Sequence, residues 1–157
     1  PVPPVSPPRL VVDEVRHPAS DEDLDAMLAV NVKAPRRLAK AAFGPLAACG
    51  RGRVIILASL SGKRVKSDRS GLYSMTKFAA VALTHAVRRA GWDDGVRATA
   101  LCPGMVDTEM VADKAVPEGE FKIDPQAIAE SVAYLLSLPN NASVAELLVN
   151  SRLEASI

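Results

Sequence analysis

The apolar positions fall into short continuous runs separated by longer stretches of helical spacing. Arg53-Val54-Ile55-Ile56-Leu57-Ala58 is a β-branched run of strand length, and residues 96–101 and 144–149 are read as two more strands. Runs without polar alternation belong to strands covered on both faces. A weaker one, Leu10-Val11-Val12, predicts a short strand near 10–13. Between the runs the apolar spacing becomes three and four. Leu24, Met27 and Leu28 open a helix predicted over 21–48. Ser20 and Asp23 form a variant capping box there, and Asp21, Glu22 and Asp23 favour its positive end. Pro35 removes an N–H and is expected to kink or divide that helix. Residues 72–90 form a second helix, rich in Ala and ended by Gly91. Asp124 and Pro125 supply the N-cap and first position of a third, with Ile128, Val132 and Leu135 as its stripe. Gly50-Arg51-Gly52 is a turn, Pro103-Gly104 stops the strand before it, and Thr108 is placed to cap a short helix.

The order is weak strand, helix, strand, helix, strand, helix, strand. It predicts an α/β fold with a parallel sheet of about four strands and right-handed crossover helices. Helices 21–48 and 72–90 are expected on one face. Five prolines within residues 1–8 favour polyproline II or disorder in that lead. Residues 9–157 read as one domain without internal repeats. The first residue is Pro rather than Met, so a start further upstream is expected, and the opening residues lack the pattern of a signal peptide.

Composition narrows the function. Hydrophobic residues are 48% of the 157, which excludes wholesale disorder. Nineteen Lys and Arg against 18 Asp and Glu leave a net charge of +1, with no overall pull towards nucleic acid or an anionic membrane. No apolar run has the roughly 20 residues of a membrane span. Cys49 and Cys102 form no CxxC pair, which excludes a disulfide scaffold and fits a cytoplasmic setting. His17 and His85 are too few for a histidine metal site, so no metal is expected. Positive charge does gather at Lys33, Arg36, Arg37, Lys40, Arg51, Arg53, Lys63, Arg64, Lys66 and Arg69. An acidic partner is one reading of that cluster. Solvated helix faces and loops are the other, and with 4% aromatic residues there is little to stack bases, so no nucleic-acid partner is expected.

Tyr73 and Lys77 are four apart on the second helix, a spacing that puts both side chains on one face about 5–6 Å apart at Cβ. An ammonium beside a phenol favours the phenolate and lowers the tyrosine pKa from about 10, which would make Tyr73 a usable acid/base. The same spacing also occurs in ordinary surface pairs. Ser59 directly follows the strand 53–58, at the carboxyl end where parallel sheets gather their sites. Ser61 competes with it, and either hydroxyl could simply bond local backbone. Asn31 shares the stripe of Leu24 and Leu28, as a buried structural amide or as part of a site. Pro103-Gly104-Met105-Val106-Asp107-Thr108 follows the next strand, either as a plain turn or as a close approach to a ligand.

Together these residues resemble the short-chain dehydrogenase/reductase family, from about residue 20 to about residue 150. Leu28-Ala29-Val30-Asn31-Val32 is similar to its asparagine segment and Ile56-Leu57-Ala58-Ser59-Leu60-Ser61-Gly62 to its serine strand and loop. Tyr73-Ser74-Met75-Thr76-Lys77 is similar to its Tyr-x-x-x-Lys, and residues 103–108 to its Pro-Gly-x-Val-x-Thr loop. The family serine precedes its glycine by three, which selects Ser59 over Ser61. The resemblance implies a partial Rossmann-like sheet and NAD(P)-dependent oxidoreduction of a small alcohol or carbonyl, with NAD or NADP as cofactor. It implies that Tyr73 moves the proton and Ser59 holds the substrate oxygen. Lys77 would bind the nicotinamide ribose and depress the Tyr73 pKa, and Asn31 would hold a relay water. Pro103, Gly104, Val106 and Thr108 would line the nicotinamide. It also implies a homodimer or homotetramer through helices 21–48 and 72–90, where Ala79, Ala80, Ala82 and Ala86 permit close approach. The Gly-rich phosphate fingerprint is absent from these residues. The resemblance therefore lies with the catalytic half of the family, and the alternatives are an inactive truncated fragment or a non-catalytic binding module.

Overall fold

Three apolar runs become three parallel strands, β1 (Arg53–Leu57), β2 (Arg97–Pro103) and β3 (Glu146–Val149), in spatial order β1-β2-β3. The computed structural model describes residues 20–67, 70–112, 115–116 and 121–153. The strand predicted near 10–13 and the Pro-rich lead lie outside the described residues. The register runs from Arg53↔Arg97 to Leu57↔Leu101 and from Ala100↔Glu146 to Pro103↔Val149. β2 is central, and Ala98, Ala100, Leu101 and Cys102 on it are fully buried, as a strand covered on both faces requires.

Strand ends differ from those predicted. β2 runs through Pro103, because proline lacks only the N–H and can still end a ladder. β3 begins at Glu146, although the Val144 carbonyl still accepts from Thr99 Oγ1 at 2.6 Å and the Ala145 carbonyl from Ala100 N at 3.0 Å.

The predicted helix over 21–48 is divided. α1 spans Asp21–Leu28, a π turn follows over Ala29–Lys33, and α2 spans Ala34–Ala48. The sequence explains the break: an α-helix would bring the N–H of residue 35 to the Asn31 carbonyl, and Pro35 has none. The Ala34 N–H reaches Ala29 O, five residues back, and the turn widens around the proline. At the start, Ser20 Oγ accepts from Asp23 N at 3.1 Å and donates to Asp23 Oδ2 at 3.2 Å, so the cap forms as predicted.

α3 (Gly71–Ala90) packs against β1 and β2, while α1, the π turn and α2 pack against α3, and α2 also meets β1. The two long helical segments therefore share a face. Ile56, Ala58, Leu60, Ala80, Val81, Ala100 and Cys102 form the core between α3 and the sheet. Each large aliphatic member contributes about 1.5–3 kcal/mol by leaving water. The Ala stripe predicted on α3 is not one surface: Ala80 is in this core, whereas Ala82 and Ala86 are exposed. α4 (Pro125–Ser137) starts as predicted, with Asp124 accepting from Gln126 N at 2.8 Å, and Leu135 buried. Among the described residues no helix is long and apolar enough to cross a membrane.

The amino end of the sheet is closed by Asn140. Arg53 Nη1 donates to Asn140 Oδ1 at 2.8 Å, Arg97 Nε to Asn140 O at 3.0 Å, and Asn140 Nδ2 to Gly50 O at 2.8 Å. Arg53 Nη2 also donates to Leu138 O at 2.6 Å. Gly95 completes this end with φ +74, and a Cβ there would stand 2.0 Å from Gly50 O.

Candidate active site

The carboxyl end of β1 delivers Ser59 in extended backbone, one residue beyond buried Ala58. Ser59 caps a 3₁₀ turn over Leu60–Gly62, with Oγ accepting from Ser61 N at 3.1 Å and lying 3.5 Å from Pro103 O. Gly62 lets this loop sit on α3. A Cβ there would stand 2.7 Å from the Lys77 carbonyl oxygen and 3.0 Å from Val81 Cγ2.

The first turns of α3 bring up Tyr73 and Lys77, and the expected shared face is observed: Lys77 Nζ lies 5.5 Å from the Tyr73 ring centroid. Lys77 Nζ donates to Leu57 O at 3.1 Å, which anchors it to the end of β1. Burial pushes the Tyr73 phenol above its ordinary value, and a side-chain hydrogen bond with Ser59 opposes that. The direction is opposite to the one the spacing predicts. Burial of the phenol is the largest influence, and the Lys77 ammonium is directed to the Leu57 carbonyl. Burial likewise lowers the Lys77 pKa, against a small opposing effect of Cys102. Ser59 rather than Ser61 is thus the hydroxyl that influences the Tyr73 phenol.

Asn31 sits on the π turn, half-buried, and its amide does not reach Tyr73, Ser59 or Lys77. Asn31 Nδ2 donates to Thr76 Oγ1 at 3.0 Å, and Thr76 Oγ1 donates to Tyr73 O at 2.9 Å. Pro103 ends β2 beside Ser59, and Gly104 N donates to Val149 O at 2.8 Å. Val106 forms a parallel bridge with Ile123, fixing the loop after β2. Thr108 holds the N-cap position of a 3₁₀ turn over Glu109–Val111 but makes no side-chain cap bond. Its exposed hydroxyl lies 3.5 Å from Val106 O, so the predicted cap is positional only.

Two contributors were not singled out from sequence for these roles. Gly62 served only to choose the serine, and its need for clearance depends on a helix that follows it by a loop. Thr76 had a local signal, since a helical Thr can bond a carbonyl three or four residues back. Elsewhere, Lys63 Nζ and His85 Nε2 both meet the Glu146 carboxylate at 2.7 Å. The Lys63 hydrogen bond foremost, with that of His85, holds the Glu146 carboxyl below its ordinary value against burial. Part of the basic cluster is therefore structural: Lys63 pairs with Glu146, and Arg53 closes the amino end.

The chain matches the family described as short chain dehydrogenase over residues 11–118. It is 40% identical over 115 residues to agropine synthesis reductase of Rhizobium rhizogenes, covering 73% of this chain and 26% of that protein. It is 37% identical over 128 residues to an uncharacterized oxidoreductase of Staphylococcus aureus, covering 82% of this chain and 54% of that one. Its structure resembles an alcohol dehydrogenase of the archaeon Thermococcus sibiricus, solved with 5-hydroxy-NADP, at TM-score 0.76 and 34% identity. That likeness covers 87% of this chain and 58% of the other. The chain thus spans about half the length, or less, of the relatives it matches.

Proposed function

This chain belongs to the short chain dehydrogenase family, and from that membership we propose that its site serves oxidoreduction of a small alcohol or carbonyl with NAD or NADP, Tyr73 moving the proton. One observation carries the reading. Ser59, Tyr73 and Lys77, from a strand end and a helix, gather at the carboxyl end of β1, where Lys77 Nζ lies 5.5 Å from the Tyr73 ring and donates to Leu57 O, two residues before Ser59. A parallel sheet collects its ligands there.

The residues present fit the nicotinamide end of such a cofactor. Lys77 offers an ammonium beside the phenol, and the loop from Pro103 to Thr108 borders Ser59. The bound cofactor supplies or accepts the hydride. Ser59 orients the substrate oxygen and stabilises charge developing on it. Tyr73 passes its proton to that oxygen, or takes one from it, and its raised pKa keeps the proton in place at neutral pH. Lys77 binds the ribose hydroxyls and offsets charge when the phenol loses its proton. Asn31 would hold the relay water, and Pro103, Gly104, Val106 and Thr108 would hold the nicotinamide end of the cofactor.

A second reading has its own observation. The chain covers 54% and 58% of two of its relatives and contains no Gly-rich phosphate seat, so residues 1–157 act only when joined to one. Calorimetry with NADH and NADPH separates the two. No heat of binding by the 157-residue chain, with binding restored by a Gly-rich first half, supports the second. Micromolar binding by the chain alone supports the first. We further infer a homodimer or homotetramer through the groove between α2 and α3, lined by Ala39, Phe43, Leu83 and Ala86. The free cysteines, Cys49 exposed and Cys102 buried, support a cytoplasmic setting.

A further inference from the structure

Two fully buried hydroxyls lie on the first turns of α3, Ser74 and Thr76. The Ser74 hydroxyl has no hydrogen-bond partner among the described residues. Thr76 is doubly engaged. Its Oγ1 donates its only proton to the Tyr73 carbonyl at 2.9 Å, which leaves the oxygen as an acceptor towards the π turn. That orientation determines which end of the Asn31 amide faces it: the NH₂, donating at 3.0 Å. The bond joins residues 45 apart in sequence. The elements it joins otherwise meet by packing, and apolar contact tolerates sliding where a hydrogen bond, which is directional, does not.

We propose that Thr76 is a positioning residue for Tyr73: its hydroxyl ties the Asn31 π turn to the first turn of α3 and so sets where the phenol stands. The π turn is suited to this task. Pro35 gives Asn31 a widened backbone instead of a regular helix, so the segment needs an outside anchor to have one position. Thr76 supplies that anchor from the residue turn that carries Tyr73. The proposal rests on Tyr73 being the acid/base of the reading above. Its test needs no turnover, so an inactive protein would fail that reading alone.

The test is NMR on the 157-residue chain with ¹³C-labelled tyrosine. The chain has two tyrosines, so Tyr134 is the internal reference. Thr76→Val keeps the shape and removes both bonds. It should displace the Tyr73 ring signals, leave those of Tyr134, and speed amide exchange in the first turn of α3 about fivefold, the scale of one net hydrogen bond. Asn31→Ala should displace the Tyr73 signals similarly, and the double variant no further, because both act through one link. Thr76→Ser should restore the wild-type signals, and Ser74→Ala should leave them unchanged. Tyr73 signals unmoved in Thr76→Val, or Thr76→Ser behaving like Val, would overturn the proposal. Should Thr76→Val not fold, Asn31→Ala decides: unmoved Tyr73 signals there overturn it equally.

Discussion

At the amino end of the sheet Arg53 and Arg97 converge on Asn140, and at the carboxyl end Ser59, Tyr73 and Lys77 converge on one another. Both ends are polar and each depends on a glycine with no room for a side chain. They differ in what the polar groups face. At the amino end the guanidinium donors are directed to fixed acceptors, the Asn140, Leu138, Val96 and Trp92 oxygens, and the arrangement is closed. At the carboxyl end a phenol and an ammonium share a half-buried face without a carboxylate between them, and burial is the largest influence on both. Burial also leads the lowering of the Arg53 pKa at the amino end, so the ends differ not in burial but in partners: there every guanidinium named meets fixed acceptors, and such closed networks hold a fold together.

Changes at the carboxyl end should therefore act on chemistry, and changes at the amino end on stability. The largest effect expected is from Tyr73→Phe, measured in the protein joined to a Gly-rich first half. Turnover should fall by roughly 10²–10⁴ with nucleotide binding largely kept, as for loss of a general acid/base. Undiminished steady-state turnover would remove Tyr73 from the reaction. Ser59→Ala should lower kcat by roughly 10²–10³, the scale of one oxyanion donor, and Ser61→Ala far less. Equal losses from the two serines would break the assignment.

Gly95→Ala tests the amino end. The positive φ and the 2.0 Å approach to Gly50 O should cost about 2–4 kcal/mol in urea unfolding, with ligand binding by the folded fraction intact. Gly62→Ala sharpens the contrast. It should cost about 1–3 kcal/mol and also displace Ser59 from Tyr73, because the loop must rise off Lys77. A Gly62→Ala protein that loses stability but keeps full turnover would show that the serine loop is not held by this contact.

The smallest effect belongs to Glu146, between the two ends. Its pKa is lowered in the folded chain, so its ion pair with Lys63 and its hydrogen bond with His85 stabilise the fold above the ordinary carboxylate value of 4.5. That contribution is lost as pH falls through the lowered value. Glu146→Gln should cost about 1 kcal/mol or less at pH 7, since Lys63 and His85 are partly exposed. The gap from wild type in thermal unfolding should close on acidification. A gap that widened towards acid pH would contradict the assigned direction.

The sequence by itself determined three strands, the caps at Ser20 and Asp124 and the pairing of Tyr73 with Lys77, because each depends on neighbours within four or five residues. The β-branched run at 53–58 makes a strand, Asp124 and Pro125 start a helix, and i,i+4 residues share a face whatever surrounds them. Even the division at Pro35 was legible, since a missing N–H is a property of one residue; the π turn that accommodates it was not. The tertiary structure decided the rest. Lys77 reaches the Leu57 carbonyl, Asn31 turns to Thr76, and Gly62 clears Lys77 only once β1 lies beneath α3. The direction of the Tyr73 pKa was decided there too. Spacing fixes the distance to an ammonium, but burial depends on every element packed around the ring, and here burial has the larger effect.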